Sequence, residues 1–333
     1  MFVNNLRSNF GSLPSSPKAK PVEVKEITKG SPEADGFICD GCPIGEGSFS
    51  TYYTFTKGTT TYAGTILKYE NRYTEDGVLH TADAIYTQGL RIRDVYNEVN
   101  DGRRIVNLRA SFIFRETRKE CFSTPCIALI FDYCELGDLE RYLREKDPLT
   151  DRDIKQILLD VSTGLEFIDR KGFIHHDVKT ANILLTRDDK EQIRAKVGDL
   201  GLAARKGEFE GMGTPSFFPP EYWESYPYVY PIYDRSSLDH ADVWALGNVM
   251  CEIMGKDTFV SDEELNTIEE THKHHIELSP RMEALKCIIL NKEYPVYVEE
   301  EPLTIDKISR MIFQKERSNR PNIAQVREML EQV

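Results

Sequence analysis

The sequence predicts an α+β protein of two unequal lobes, a smaller β-rich one followed by a larger helical one. Three observations carry that expectation. Residues 37–131 contain short runs rich in Thr, Tyr, Ile and Phe, separated by glycine-containing turns. After Gly137, apolar residues recur at helical spacing. The chain is 333 residues long and 40% hydrophobic, too long for one ordinary domain and too apolar for general disorder.

The elements follow in order. Residues 1–36 hold four prolines and five serines with no apolar periodicity, and read as a flexible tail. GFICDGCPIG, SFSTYYTFTK and TTYAGTILKYE read as three strands, and a charged helix follows near 83–101. LRASFIFRE and PCIALIFDY read as two more strands. Thr150 and Asp153 form a capping box with Asp in the usual Glu/Gln position. Behind it Ile154, Ile157, Leu158, Val161, Leu165 and Ile168 line one helix face. ANILLT and RAKVGDL are short strands, DVWALGNVMCEIM is a strongly apolar helix, and further helices reach the C-terminus. No repeat is present.

Composition excludes several classes. The net charge is −13, so the chain lacks the overall basic footprint of a nucleic-acid or anionic-membrane binder. The longest apolar run, Cys126 to Phe131, is far short of the roughly 20 residues that span a bilayer. The N-terminus has no apolar signal-peptide core. Seven dispersed cysteines read as reduced thiols, and the Cys39/Cys42 pair lacks a second ligand pair for zinc. The HKHH run at His272–His275 reads as a solvated helix face. An intracellular protein, cytoplasmic or nuclear, is expected.

The chemistry is concentrated in a few motifs. GEGSFS (Gly45–Ser50) lies between two β-like segments, where glycines let backbone amides approach phosphate oxygens; alone it also reads as an ordinary tight turn. Lys68 ends TILK, and a lysine in an apolar strand needs an anionic partner or a solvent-facing edge. FIHHDVKTANILL places Asp177, Lys179 and Asn182 in a tight loop between a helix and a strand. VGDLGLA then places Asp199 at a strand end. A carboxylate and an amide oxygen at loop positions suit Mg²⁺, and two aspartates in separate roles suit phosphoryl transfer.

In these residues the chain resembles a eukaryotic-type protein kinase catalytic domain over about residues 37–333. The resemblance implies a small lobe at about 37–131, a hinge at 132–136 and a large lobe at 137–333. It maps the glycine-rich loop onto Gly45, Gly47 and Ser50, the VAIK lysine onto Lys68 and the αC glutamate onto Glu98. The gatekeeper maps onto Phe131, and Asp132 to Cys134 become the adenine-contacting strand. HHDVKTAN resembles HRDLKxxN, and Asp199-Leu200-Gly201 resembles DFG. GTPSFFPPE matches the substrate platform, Asp242–Gly247 the DxWxxG helix, and Arg320 the late arginine that pairs with Glu221. The implied nucleotide contacts are Ile44, Gly45, Glu46, Gly47, Ser48, Phe49, Tyr52, Ile66, Lys68, Phe131, Asp132, Cys134 and Leu184. Asn182 and Asp199 are the implied Mg²⁺ ligands, Asp177 the base, and Lys179 and Thr214 its helpers.

By the resemblance the cofactors are ATP and Mg²⁺, and the acceptor is a protein serine or threonine, because Lys179 follows the Ser/Thr pattern. Ser50 replaces the third loop glycine, and Ile66 replaces the alanine expected over adenine. The Lys68-to-Glu98 gap is long, with an insertion around 71–84, and a second insertion covers 225–237. Alternatives are a pseudokinase acting as a binding or scaffold module, and a small-molecule phosphotransferase. His176 stands where many kinases carry the arginine that holds an activation-loop phosphate, and residues 202–212 contain no Ser, Thr or Tyr. Activity is therefore expected without activation-loop phosphorylation. The oligomeric state has no signature in the sequence.

Overall fold

A computed structural model describes residues 32–47, 50–68, 72–73, 79–118, 122–146, 148–208, 213–225, 240–261, 263–264, 280–297 and 299–333. Most of the expected tail, Ser48 and Phe49, the HKHH run, and the 225–237 insertion beyond its first residue lie outside these.

The N-terminal part is a five-stranded antiparallel sheet in the order β1-β2-β3-β7-β6. Its strands are β1 (Ile38–Gly47), β2 (Ser50–Lys57), β3 (Thr60–Lys68), β6 (Leu108–Arg118) and β7 (Phe122–Asp132). A small hairpin, β4 (Arg72–Tyr73) with β5 (Leu79–His80), lies within the first expected insertion. Helix α1 (Ala82–Val99) packs across the sheet and is capped by Thr81, whose hydroxyl accepts from the Ala84 amide.

The two sheet faces bury different residues, as the strand period of two requires. Leu67, Ile127 and Leu129 join the main core with α1. Phe55 and Ile130 join Phe37 in a smaller cluster on the other face, flanked by Ile66 and Phe112. Gly89 of α1 is needed for the approach: a Cβ there would lie 2.7 Å from Leu67 Cδ1 and 2.6 Å from Ile127 Cγ2.

The C-terminal part is helical. It opens with β8 (Gly137–Asp138), α2 (Leu139–Glu145) and α3 (Asp151–Arg170). The Thr150/Asp153 capping box forms as expected. β9 (Phe173–Ile174), β10 (Ile183–Arg187), β11 (Ile193–Val197) and β12 (Ala204–Arg205) bracket the loops that carry the site. β10 lies between β11 and β8, and β12 pairs with β9. Then come α4 (Pro220–Ser225), α5 (Ala241–Ile253), α6 (Pro280–Asn291), α7 (Ile305–Ile312) and α8 (Ile323–Gln332). Trp223 and Trp244 are fully buried, and α5 is apolar on all sides because α3 and α7 flank it.

Candidate active site

A cleft of about 650 Å³ opens between the sheet and the helical part. Ile44, Gly45, Tyr52, Phe131, Asp132, Cys134 and Leu184 line it, as do Asn182 and Asp199. The chain therefore brings most of the sequence-predicted nucleotide contacts to one cavity. Phe131 forms its back wall with Tyr96, ring centroids 5.0 Å apart. Asp132 turns its carboxylate toward Asn107 (2.6 Å), Arg109 and Lys196 (3.3 Å), which anchors the segment joining the two parts. Burial of Asp132 opposes ionisation, but those three partners outweigh it and hold the carboxyl below its usual range.

The loop after β9 is built by side-chain-to-backbone bonds. The Asp242 carboxylate accepts from the amides of His175 (2.7 Å) and His176 (3.0 Å). The buried His175 ring accepts the Asp177 amide at Nδ1 (3.2 Å), so Nε2 carries the proton and donates to Gly198 O (2.9 Å). This single imidazole ties the loop of Asp177 to the strand end before Asp199. His176 and Asp199 have positive φ, 66° and 49°, a conformation that these packed surroundings must hold.

Asp177 is the hub. Its Oδ1 accepts from the Thr214 amide and hydroxyl, both at 2.9 Å. Its Oδ2 accepts from Asn182 Nδ2 (2.9 Å) and pairs with Lys179 Nζ (3.0 Å), which also donates to the Thr214 hydroxyl (3.0 Å). Burial raises the Asp177 pKa, but Lys179 and Thr214 reverse this and leave it below the ordinary value. Gly213 permits the approach of the GTP segment, since a Cβ there would lie 2.2 Å from His176 O.

The donor set fits a hard divalent cation. With Nδ2 bonded to Asp177, the Asn182 amide leaves its oxygen for a metal, and Asp199 lines the same cleft. Among the described residues no group of three or more His, Cys, Asp or Glu forms a metal cluster. A cation held by Asn182 and Asp199 would therefore complete its shell with phosphate and water oxygens.

The geometry places Ile66 and Glu98 away from the cleft, and the register of β3 bears on Lys68. Lys68 pairs with Cys126 and alternates with Gly64 and Ile66, whereas Ala63, Thr65 and Leu67 form the other face of β3. Ala63 lines the cleft and Leu67 packs on α1, so positions 63, 65 and 67 share the inner face of β3. A one-residue offset flips a strand position to the opposite face. The position expected for the phosphate-directed lysine is thus held by Thr65, which is buried and donates to Thr51 O (2.9 Å). Ile66 packs with the outer cluster, and the small residue over the cleft is Ala63. Glu98 lies two residues beyond buried Tyr96, turned away from β3, and both its carboxylate oxygens bond Arg205 (2.8 and 2.6 Å). Asp83 and Asp94, the other acids of α1, are also exposed.

Sequence reading missed Ala63, Thr65, Tyr96, His175 and the roles of Gln88 and Arg91. A usable signal existed in YAGTIL, where a small residue two positions before Thr65 marks the cleft-facing set. Glu221 and Arg320 do meet, in a bidentate pair at 2.7 and 2.8 Å.

The comparisons agree on the family. A model of the protein kinase domain matches residues 40–330. The chain is 30% identical over 126 residues to the probable serine/threonine-protein kinase zyg-1 of Caenorhabditis elegans, covering 37% of this chain and 16% of that one. It is 39% identical over 143 residues to chitin elicitor receptor kinase 1 of Physcomitrium patens, covering 40% and 20%. It is 32% identical over 139 residues to the serine/threonine/tyrosine-protein kinase HT1 of Arabidopsis thaliana, covering 40% and 32%. The match thus spans a third or less of each relative's own length.

Proposed function

The chain belongs to the protein kinase family, and from that premise we propose that it binds Mg²⁺·ATP in the cleft and phosphorylates serine or threonine hydroxyls of proteins. In this reading residues 37–333 are the kinase domain, 1–36 an appended tail, and the site of action is intracellular. One observation carries it: the Asp177 carboxylate is held at once by Lys179, Asn182 and Thr214. A substrate hydroxyl that displaces one of these donors would meet a carboxylate kept ionised and aimed. Lys179 neutralises charge on the transferring group. Bound Mg²⁺ supplies charge neutralisation of the phosphates, and Asn182 and Asp199 would hold it.

A second reading, a nucleotide-binding or scaffold pseudokinase, is favoured by Thr65 on the cleft face of β3 and by the outward Glu98. The ion pair between a β3 lysine and an α1 acid is one of the parts kinases need in place. In the catalytic reading its loss leaves neutralisation to the metal. Turnover is then expected about 10²-fold below the typical 1–100 s⁻¹, the cost of removing one transition-state donor. The test is phosphosite mapping on a degenerate peptide library with Mg²⁺ and radiolabelled ATP, with Asp177→Asn as control. Metal-dependent labelling of Ser/Thr that the control loses supports transfer. ATP binding with labelling equal in both proteins establishes the pseudokinase.

A further inference from the structure

Helix α1 lacks an inward acid, yet it reaches the segment after β11 at several points. Arg91 Nη1 donates to Ala203 O (2.6 Å), and Nη2 donates to Gly201 O. Gln88 Nε2 donates to the same Gly201 O, while its Oε1 accepts from Arg91 Nε (3.3 Å) and so orients the guanidinium. One turn beyond Asp94, Glu98 takes Arg205. All these contacts fall on residues 201–205.

Gly201 is the link to Asp199. Its carbonyl receives Arg91 and Gln88, and its amide donates to Asp199 Oδ1 (3.1 Å). A Cβ on Gly201 would lie 2.8 Å from that same oxygen, so the peptide and the carboxylate are closely packed. Asp199 has φ 49°, which needs outside support. In the catalytic loop the residue before Asp177 is His176, not an arginine. Burial of the His176 ring lowers its pKa, with Arg91 acting in the same direction, so the imidazole is neutral near pH 7. The neighbouring stretch 202–212 has no hydroxyl to phosphorylate.

We infer that Arg91 is a positioning residue: from α1 it braces Gly201 and Ala203 so that Asp199 is set for the metal without a phosphate on the activation segment. The inference rests on the proposed use of Asp199 as a metal ligand. A guanidinium suits the task because its planar fork bonds two carbonyls at once, which an ammonium does less well.

The experiment uses the phosphatase-treated full chain as wild type, Arg91→Ala and Arg91→Lys. Hydrogen exchange is read on amides 199–206 without ligand, and ATP binding is titrated against Mg²⁺. Arg91→Ala is expected to speed exchange at 199–206 by at least about tenfold while α3 and α8 are unchanged. The apparent Mg²⁺ constant should rise about tenfold, as for loss of an outer partner of a metal ligand, with metal-free ATP binding unchanged. Arg91→Lys should recover only part of either effect. Unchanged exchange at 199–206 in both variants overturns the brace, as does faster exchange spread evenly over the chain. Wild type that binds no Mg²⁺·ATP refutes the proposed function instead, and the exchange data still decide the brace.

Discussion

Glu221→Ala is expected to unfold the helical part earlier without altering the chemistry. The Arg320 side chain is 0% exposed and that of Glu221 14%. The pair is bidentate, and Arg320 also donates to Gln314 O (2.7 Å) and Lys315 O (3.0 Å) and lies 4.9 Å from the Trp244 ring. Removing one partner of a buried pair costs about 3–5 kcal/mol. Glu221→Ala strands a cation that keeps two carbonyls and an aromatic face, so the lower end, about 3 kcal/mol, applies. Arg320→Ala strips all five contacts, and its loss belongs near about 5 kcal/mol. At roughly 2 °C per kcal/mol for a chain of this size, the melting temperature falls by about 6 and about 10 °C. The assay is a double-mutant cycle by denaturant unfolding. The double variant should lose about 1–3 kcal/mol less than the sum of the singles. Strict additivity would refute the coupling.

Further outcomes follow from the site. Lys68→Met should leave Mg²⁺·ATP affinity within about twofold by calorimetry; a tenfold loss, about 1.4 kcal/mol, would show that the lysine reaches the phosphates despite its strand register. Asp199→Asn should remove the Mg²⁺-dependent part of ATP-induced thermal stabilisation while the unliganded melting temperature stays put; full retention excludes Asp199 as a ligand. The His176 pKa in the fold lies below 6.5, so the unfolded chain binds the proton more readily. Its contribution to stability is complete above pH 6.5 and is lost as pH falls from 6.5 through the folded value. Asp177, with its pKa lowered from 3.8, adds a further loss as pH falls from 3.8 through its folded value. Unfolding free energies from pH 8 to 5 should show the first slope, and His176→Asn should flatten it.

The family, the order of elements and the catalytic loop were legible in the sequence because they rest on local spacing. Asp177, Lys179 and Asn182 lie within six residues, so one loop carries them together whatever surrounds it. The Thr150/Asp153 cap is likewise a matter of adjacent residues. Which residues of β3 share its inner face depends on which side meets α1, and Gly89 against Leu67 decided that. Glu98 was misassigned for the same kind of reason: a helix of 18 residues offers acids on several faces, and the rotation that buries Tyr96 turns Glu98 to Arg205. Arg91 and Gly201 are 110 residues apart, and no spacing rule relates them. Local chemistry is written in short windows of sequence. Which side of a strand or helix faces the cleft is set by packing between distant elements, and only the tertiary structure decided it.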